Sequence, residues 1–303
     1  MSLSVKNITK SFGDNTAVDD LSFEMSSPGV FGLIGTNGAG KTTTIRVILG
    51  IMTQDSGEVS WNGGKITRET VKFGYLPEER GIYTKSTVID QLTYFGMLRG
   101  MTKRSAQSSA DSYLERLGIS EYRNTVAEKL SKGNQQKIQL IAALVHDPDL
   151  IFMDEPFSGF DPLNAGMLSS LIRDLVGQGK FIVMSSHQMS TVEEFCDDIA
   201  ILHRGKTMLK GNLREIKSGY GHTNLVVSAA RGVSDIALSH GLMLIEKRPE
   251  EVEYKITGDT QADAFLSDLV KNGVYPTKYV IREPSLNEIF IEKVGPAGTK
   301  EAK

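Results

Sequence analysis

An apolar run, Val30–Ile34, broken only by Gly32, leads straight into GTNGAGKT, Gly35–Thr42, and a helical pattern follows from Lys41 to about Met52. A buried strand must therefore end and a helix begin across one glycine-rich loop. Gly35, Gly38 and Gly40 permit backbone angles closed to other residues and let main-chain N–H groups approach a ligand without intervening side chains. The helix that starts near Lys41 adds the positive end of its dipole and its unpaired N–H groups. Lys41 supplies a full positive charge, and Thr42 offers a hydroxyl. Strand, glycine loop, lysine, hydroxyl and helix together form a cradle for the β and γ phosphates of a nucleoside triphosphate and its Mg²⁺. Residue frequencies produce such a string by accident in roughly one chain of this length in a hundred, and the strand–helix context lowers that further.

A second apolar strand, Leu150–Met153, ends in Asp154-Glu155-Pro156. Ligands of an α/β sheet sit outside the carboxyl ends of its strands. Asp154 there fits a Mg²⁺ partner acting through water, and Glu155 fits a base that polarises the attacking water. Just beyond a third strand, Phe181–Met184, stands His187, placed to touch the γ phosphate or to order Glu155 and the water. The string LSKGNQQK, Leu130–Lys137, puts Ser131 and Gly133 at another helix start. Read alone it is a capped helix. Beside a complete phosphate cradle it reads as a second phosphate-binding helix terminus, and the economical assignment is that it serves a nucleotide held by another copy of the chain.

Strands alternate with helices to about residue 215, with helical patterns at Ser86–Leu98 behind Thr87 as cap, Ser131–Val145 and Leu163–Val176. This alternation predicts an α/β fold built on a mainly parallel sheet covered by helices. Leu21, Phe23 and Met25 alternate with polar residues, and Val59 and Trp61 lead to Asn62-Gly63, a hairpin signal. Both belong to a mixed, antiparallel β-subdomain. Gly219 and Gly221 mark a linker, so the predicted domains are 1–217 and 218–295, with a frayed polar tail over 296–303. In the second domain Val252, Tyr254 and Ile256 alternate with Glu251, Glu253 and Lys255, a strand with one wet face. Ala262–Leu269 and Leu286–Ile291 read as helices and Lys278–Arg282 as extended, which makes a small α+β domain.

Composition excludes several classes. The 303 residues carry a formal charge of −3, which gives no global attraction to nucleic acid. The longest strictly apolar run, Leu140–Val145, is far short of the roughly 20 residues that cross a bilayer. Cys196 is the sole cysteine, so no internal disulfide and no cysteine-based zinc site can form. The expectation is a reduced, soluble, cytoplasmic protein.

Taken together, these motifs resemble the ATP-binding subunit of an ABC transporter across residues 1 to about 215. GTNGAGKT resembles the family's Walker A motif, LSKGN its signature, LIFMDEP (Leu150–Pro156) its Walker B motif and SGFD (Ser158–Asp161) its D-loop. His187 matches the switch histidine and Phe12 the aromatic that stacks on adenine. The resemblance implies that Gly35, Thr36, Asn37, Gly38, Ala39, Gly40, Lys41, Thr42 and Thr43 hold ATP. It implies a P-loop NTPase (RecA-like) core with antiparallel β and helical subdomains. Departures occur at Lys132 and Asn134 of the signature, at Phe12, usually tyrosine, and at YLPEERG, where Glu78 replaces the Q-loop glutamine. The Glu78 carboxylate can still face Mg²⁺ or the water.

The segment 218–295 is similar to the extra domain of the drug-resistance and sodium-efflux branch, with REPSLNEIFIEKVG (Arg282–Gly295) resembling its closing motif. The implied protein hydrolyses ATP in a two-copy sandwich, or with a related chain as partner. Each site is completed by Ser131 and Gly133 of the opposite chain, and the cycle energises export through a separate membrane permease. The chain would then sit on the cytoplasmic face of the membrane, with the permease docked between about Glu78 and Leu98. An importer ATPase and a soluble non-transport ABC ATPase are the alternatives.

Overall fold

The computed structural model describes residues 1–67, 69–79, 81–229 and 232–295. Two compact units emerge, one of Met1–Lys210 together with the residues from Val294 on, the other of Gly211–Lys293. In the first, β1 (Leu3–Phe12), β2 (Asn15–Met25) and β3 (Gly29–Ile34) precede α1 (Lys41–Ile48), β4 (Ser56–Trp61) and β5 (Phe73–Leu76). Then come α2 (Val88–Leu98), α3 (Lys103–Arg116), α4 (Lys132–Leu144), β6 (Leu150–Asp154) and α5 (Pro162–Gly177). The unit closes with β7 (Phe181–Ser186), α6 (Met189–Phe195), β8 (Asp198–His203) and most of β9 (Lys206–Asn212).

All nine strands form one sheet in the order β4-β1-β2-β9-β8-β3-β7-β6-β5. The strands β8, β3, β7, β6 and β5, adjacent in that order, run parallel to one another. The antiparallel strands expected as a subdomain, β1, β2 and β4, continue the same sheet at one edge. Every residue of β3, β6 and β7 is buried. That explains why the sequence shows continuous apolar runs there rather than alternation. Phe152 and Phe181 are among the largest fully buried side chains, and Trp61 packs edge-on against Phe181 with centroids 5.0 Å apart. Burial of each such ring stabilises the fold by about 1.5–3 kcal/mol.

Several local expectations change. The helix α1 stops at Ile48, not Met52. Gly50 takes φ +67°, its amide donates to Val47 O (3.0 Å) and the Ile51 amide to Arg46 O (2.9 Å), a Schellman termination. Asn62 and Gly63 do form a tight turn, both at positive φ, but it closes only a Trp61–Gly64 bridge, and β4 pairs with β1.

The second unit holds α7 (Leu213–Tyr220), β10 (Asn224–Ser228), α8 (Val233–Ser239), β11 (Met243–Lys247), β12 (Val252–Lys255), α9 (Asp259–Lys271), β13 (Lys278–Arg282) and α10 (Leu286–Val294). Its sheet runs β11-β12-β10-β13. Gly219 lies inside α7 rather than in a linker, and only Gly221, at φ +67°, marks a break. The division between units falls at Lys210 and Gly211, several residues before the boundary read from the sequence. The wet face expected of β12 is not wet at Glu253, which is buried and paired with Arg282. Alternation identified the strand correctly; the buried ion pair is what breaks the polar-out rule. The expected tail, 296–303, lies outside the described residues.

Candidate functional site

Three adjacent parallel strand ends build the site. In the register of the sheet Ile34 lies beside Ser186, and Asp154 beside Ser185. Parallel neighbours sit about 4.8 Å apart, so the residues that follow β3, β6 and β7 emerge side by side. These are the glycine loop, Glu155 and His187.

Within the loop the glycines have different reasons. Gly40 caps α1 at φ +105°, and a Cβ there would lie 2.1 Å from the Ala17 carbonyl oxygen. At Gly35 a Cβ would lie 2.5 Å from Leu202 O. Gly38, at φ +77°, faces open space. The first two glycines are thus required by the chain's own backbone, the third by its dihedral angle.

Phe12, Asn37 through Thr43, Glu78 and Glu155 line one cleft of about 380 Å³. Phe12 is half exposed at its rim. Gly35 and Thr36 lie beneath, and their carbonyls accept hydrogen bonds from Lys41 Nζ at 2.7 and 3.1 Å. The same ammonium stands 3.2 Å from Glu155 Oε1, a charge contact between two side chains that are each about 95 % buried.

Glu155 has φ +50°, rare for a residue with a side chain. Successive strand residues normally point to opposite faces; this left-handed step carries Glu155 back toward the side that Asp154 serves. Its Oε2 lies 2.9 Å from His187 Nδ1 and also receives the His187 amide at 3.4 Å. Asp154 is 1 % exposed; Ser185 Oγ donates to its Oδ1, while Oδ2 is buried without a hydrogen-bond partner.

Ser131 and Gly133 lie elsewhere. Ser131 caps α4, accepting from the Asn134 amide at 3.3 Å, and neither residue lines the cleft that holds the glycine loop. Lys132, between them, lines a second cavity of about 250 Å³ together with Glu78, Asp154 and Glu155.

Three polar residues escape sequence reasoning. Gln139 Nε2 donates to Pro77 O (2.9 Å) and Glu79 O (2.8 Å), which holds the segment bearing Glu78. Gln136 Nε2 donates to Ser158 O (2.8 Å), tying α4 to the loop after Glu155. Ser185 joins β7 to the Asp154 carboxylate and to the Glu155 backbone amide. Only Ser185 carried a signal, a polar residue ending an apolar strand just before His187.

A strand–loop–helix phosphate cradle beside a buried Asp-Glu pair defines a P-loop nucleoside triphosphatase. Comparison with known proteins narrows the class. Residues 18–158 match the ABC transporter family model, and residues 211–294 match the C-terminal domain of DrrA1-3-like ATP-binding proteins. The ABC transporter ATP-binding protein YhaQ of Bacillus subtilis is 42 % identical over 97 % of this chain and 98 % of its own length. The linearmycin resistance ATP-binding protein LnrL of the same organism is 30 % identical, over 97 % and 98 %. A solved ATP-binding subunit of an ABC transporter superposes with TM-score 0.67 at 30 % identity, covering 73 % of this chain and 93 % of that one. An ATP-binding cassette solved in its ADP conformation gives 0.63 at 26 %, covering 72 % and 94 %. The chain belongs to the ATP-binding subunits of ABC transporters, and it is an ATPase.

Proposed function

We propose that the protein powers export through a separate membrane permease, hydrolysing Mg²⁺–ATP in a two-copy sandwich on the cytoplasmic face. No described helix is long and apolar enough to cross a membrane; in this reading the transport path is supplied by another chain. The observation that supports export is the second unit, which matches the DrrA-like C-terminal domain. Relatives point the same way, among them the linearmycin resistance protein and a Nod factor export ATP-binding protein of Paraburkholderia xenovorans, 33 % identical over 67 % of this chain and 68 % of its own length.

In this reading Phe12 stacks on the adenine, and the backbone of Gly35–Thr43 surrounds the phosphates. Lys41 exchanges Glu155 for a phosphate oxygen, which leaves Glu155 Oε1 free to take a proton from the attacking water. His187 holds the other oxygen of Glu155 and so fixes the direction of the base. The donor set fits magnesium. Among the described residues no group of three or more His, Cys, Asp or Glu side chains could hold a metal unaided. Mg²⁺ typically takes one or two carboxylates and completes its shell with phosphates and water. Thr42, Asp154 with its unpartnered Oδ2, and Glu78 are the hard oxygen donors in place. When bound, the ion neutralises the charge that develops on the transferred phosphoryl group.

Ser131 and Gly133 start a helix away from their own cleft, which supports their service to the nucleotide of a second copy. The permease docks on α2 and the loop before it, where Tyr83, Tyr94, Met97 and Leu98 are exposed and Tyr83 stacks on Phe95 at 5.7 Å. Affinity purification of the tagged full chain from detergent-solubilised membranes tests the assignment. Recovery of a multi-spanning protein at stoichiometric yield is expected. Recovery with ribosomes and no membrane protein would overturn it.

A further inference from the structure

The geometry points to Ser185 as a positioning residue that sets Asp154 for the cation and Glu155 for the water with one hydroxyl. Ser185 is fully buried and sits beside Asp154 in the parallel register of β6 and β7. Its Oγ donates to Asp154 Oδ1 and accepts the Glu155 amide at 2.9 Å. Both roles are used at once, so the hydroxyl proton has one place to go. An ionised carboxylate only accepts hydrogen bonds, and a backbone N–H only donates.

Two consequences follow. First, Asp154 is held by Oδ1, and this leaves Oδ2 as the buried, unpartnered oxygen turned to other ligands. Second, the bond to the Glu155 amide anchors the peptide at which the chain enters φ +50°. A left-handed non-glycine residue is strained and persists only where its surroundings hold it. Ser185 is one such support, beside Lys41 and His187 on the Glu155 carboxylate and the Ser158 amide on its carbonyl.

Without the hydroxyl, Asp154 keeps its charge but loses its orientation. Residues that orient a metal-associated carboxylate are typically worth about 10–100-fold in metal affinity or activity. The role of Ser185 rests on the Mg²⁺ reading above, so its test separates the two. The full chain, as parent, Ser185→Ala and Ser185→Thr, is titrated with a fluorescent ATP analogue in EDTA and then with rising MgCl₂. In EDTA the Ser185→Ala variant is expected to bind within about twofold of the parent. Its half-saturating Mg²⁺ concentration rises on the order of 10-fold, and Ser185→Thr returns it to within about threefold.

An unchanged Mg²⁺ midpoint in Ser185→Ala overturns the inference. So does an affinity that falls by the same factor with EDTA and with Mg²⁺, because that marks a packing residue. If the alanine variant does not fold, Ser185→Cys decides in its place, with a raised midpoint expected and a parental one refuting. A parent whose binding ignores Mg²⁺ altogether overturns the magnesium reading along with this one.

Discussion

Glu155→Gln is the most informative single change. The amide is isosteric with the carboxylate, and the site is only 6 % exposed, so the packing survives. Lys41 loses its counter-charge at 3.2 Å but keeps the Gly35 and Thr36 carbonyls, so it stays ordered. What disappears is the basic oxygen. General-base assistance is worth about 10²–10⁴ in rate, which corresponds to about 2.7–5.4 kcal/mol of barrier at 1.36 kcal/mol per tenfold. Nucleotide binding moves the other way. The carboxylate competes with phosphate for Lys41 and repels the ligand's charge, and the amide does neither. Single-turnover hydrolysis of radiolabelled ATP should therefore fall by at least about 100-fold, while equilibrium binding in the same preparation stays equal or tightens. Hydrolysis within threefold of the parent would remove Glu155 from the role of base. A parallel loss of binding would show that the carboxylate organises the cleft instead.

Gly40→Ala drives a Cβ to 2.1 Å from the Ala17 carbonyl and should lower stability by more than about 2 kcal/mol, read as a fall in Tm, whereas Gly38→Ala carries only the cost of its positive φ, about 1–2 kcal/mol. His146 is 7 % exposed with Nε2 2.9 Å from Phe73 O, and burial pushes its imidazole down to about 4. The fold keeps this ring neutral while the unfolded chain protonates it near 6.5, so stability is whole above about pH 6.5. It should fall by about 3 kcal/mol as pH drops to 4, a slope that His146→Gln removes in urea titrations. In the second unit burial alone would raise the Glu288 carboxyl, but hydrogen bonds from Ser285 and Asn224 and the charge of Arg282 hold it at about 2. Its contribution is present above the unfolded value near 4.5 and is lost as pH falls from there toward 2, a window that opens as the His146 one closes. Ser131→Arg should leave nucleotide binding to the lone chain intact yet abolish the rise of specific ATPase activity with protein concentration; an unchanged concentration dependence would count against a shared site.

The core was legible because buried parallel strands write themselves as unbroken apolar runs, as at Leu150–Met153 and Phe181–Met184. The glycine loop between β3 and α1 was legible because its glycines answer to backbone constraints. What stayed hidden has physical reasons. The long strand β1 alternates poorly: β-bulges between Val5 and Ile8 and between Ile8 and Lys10 shift its register and break the period of two. The helix α3 buries little more than Ala106, Ala110 and Leu114 and is otherwise serine-rich and charged, so its apolar stripe is too thin to stand out. Glu253 and Arg282 look like surface residues in sequence, since only the fold reveals that they neutralise each other. Gln136 and Gln139 act through carbonyls far along the chain, a relation no local pattern encodes.

Charge explains why so much of the site is backbone. Among the described residues lining the two cavities, the cations are Lys41 and Lys132 and the anions are Glu78, Asp154 and Glu155. Side chains alone therefore offer a tri- or tetra-anionic nucleotide no net attraction. In the proposed reading the affinity comes from aligned N–H groups, from the helix α1 terminus and from a divalent cation, all of which act at short range. Short-range donors work only where the chain passes within contact distance. For that reason the sequence accepts glycines at Gly35 and Gly40 that no other residue can replace, and a strained glutamate beside them. The same excess of carboxylate leaves room for donors brought from outside the chain, which is the use the Ser131-led terminus of α4 is suited to serve.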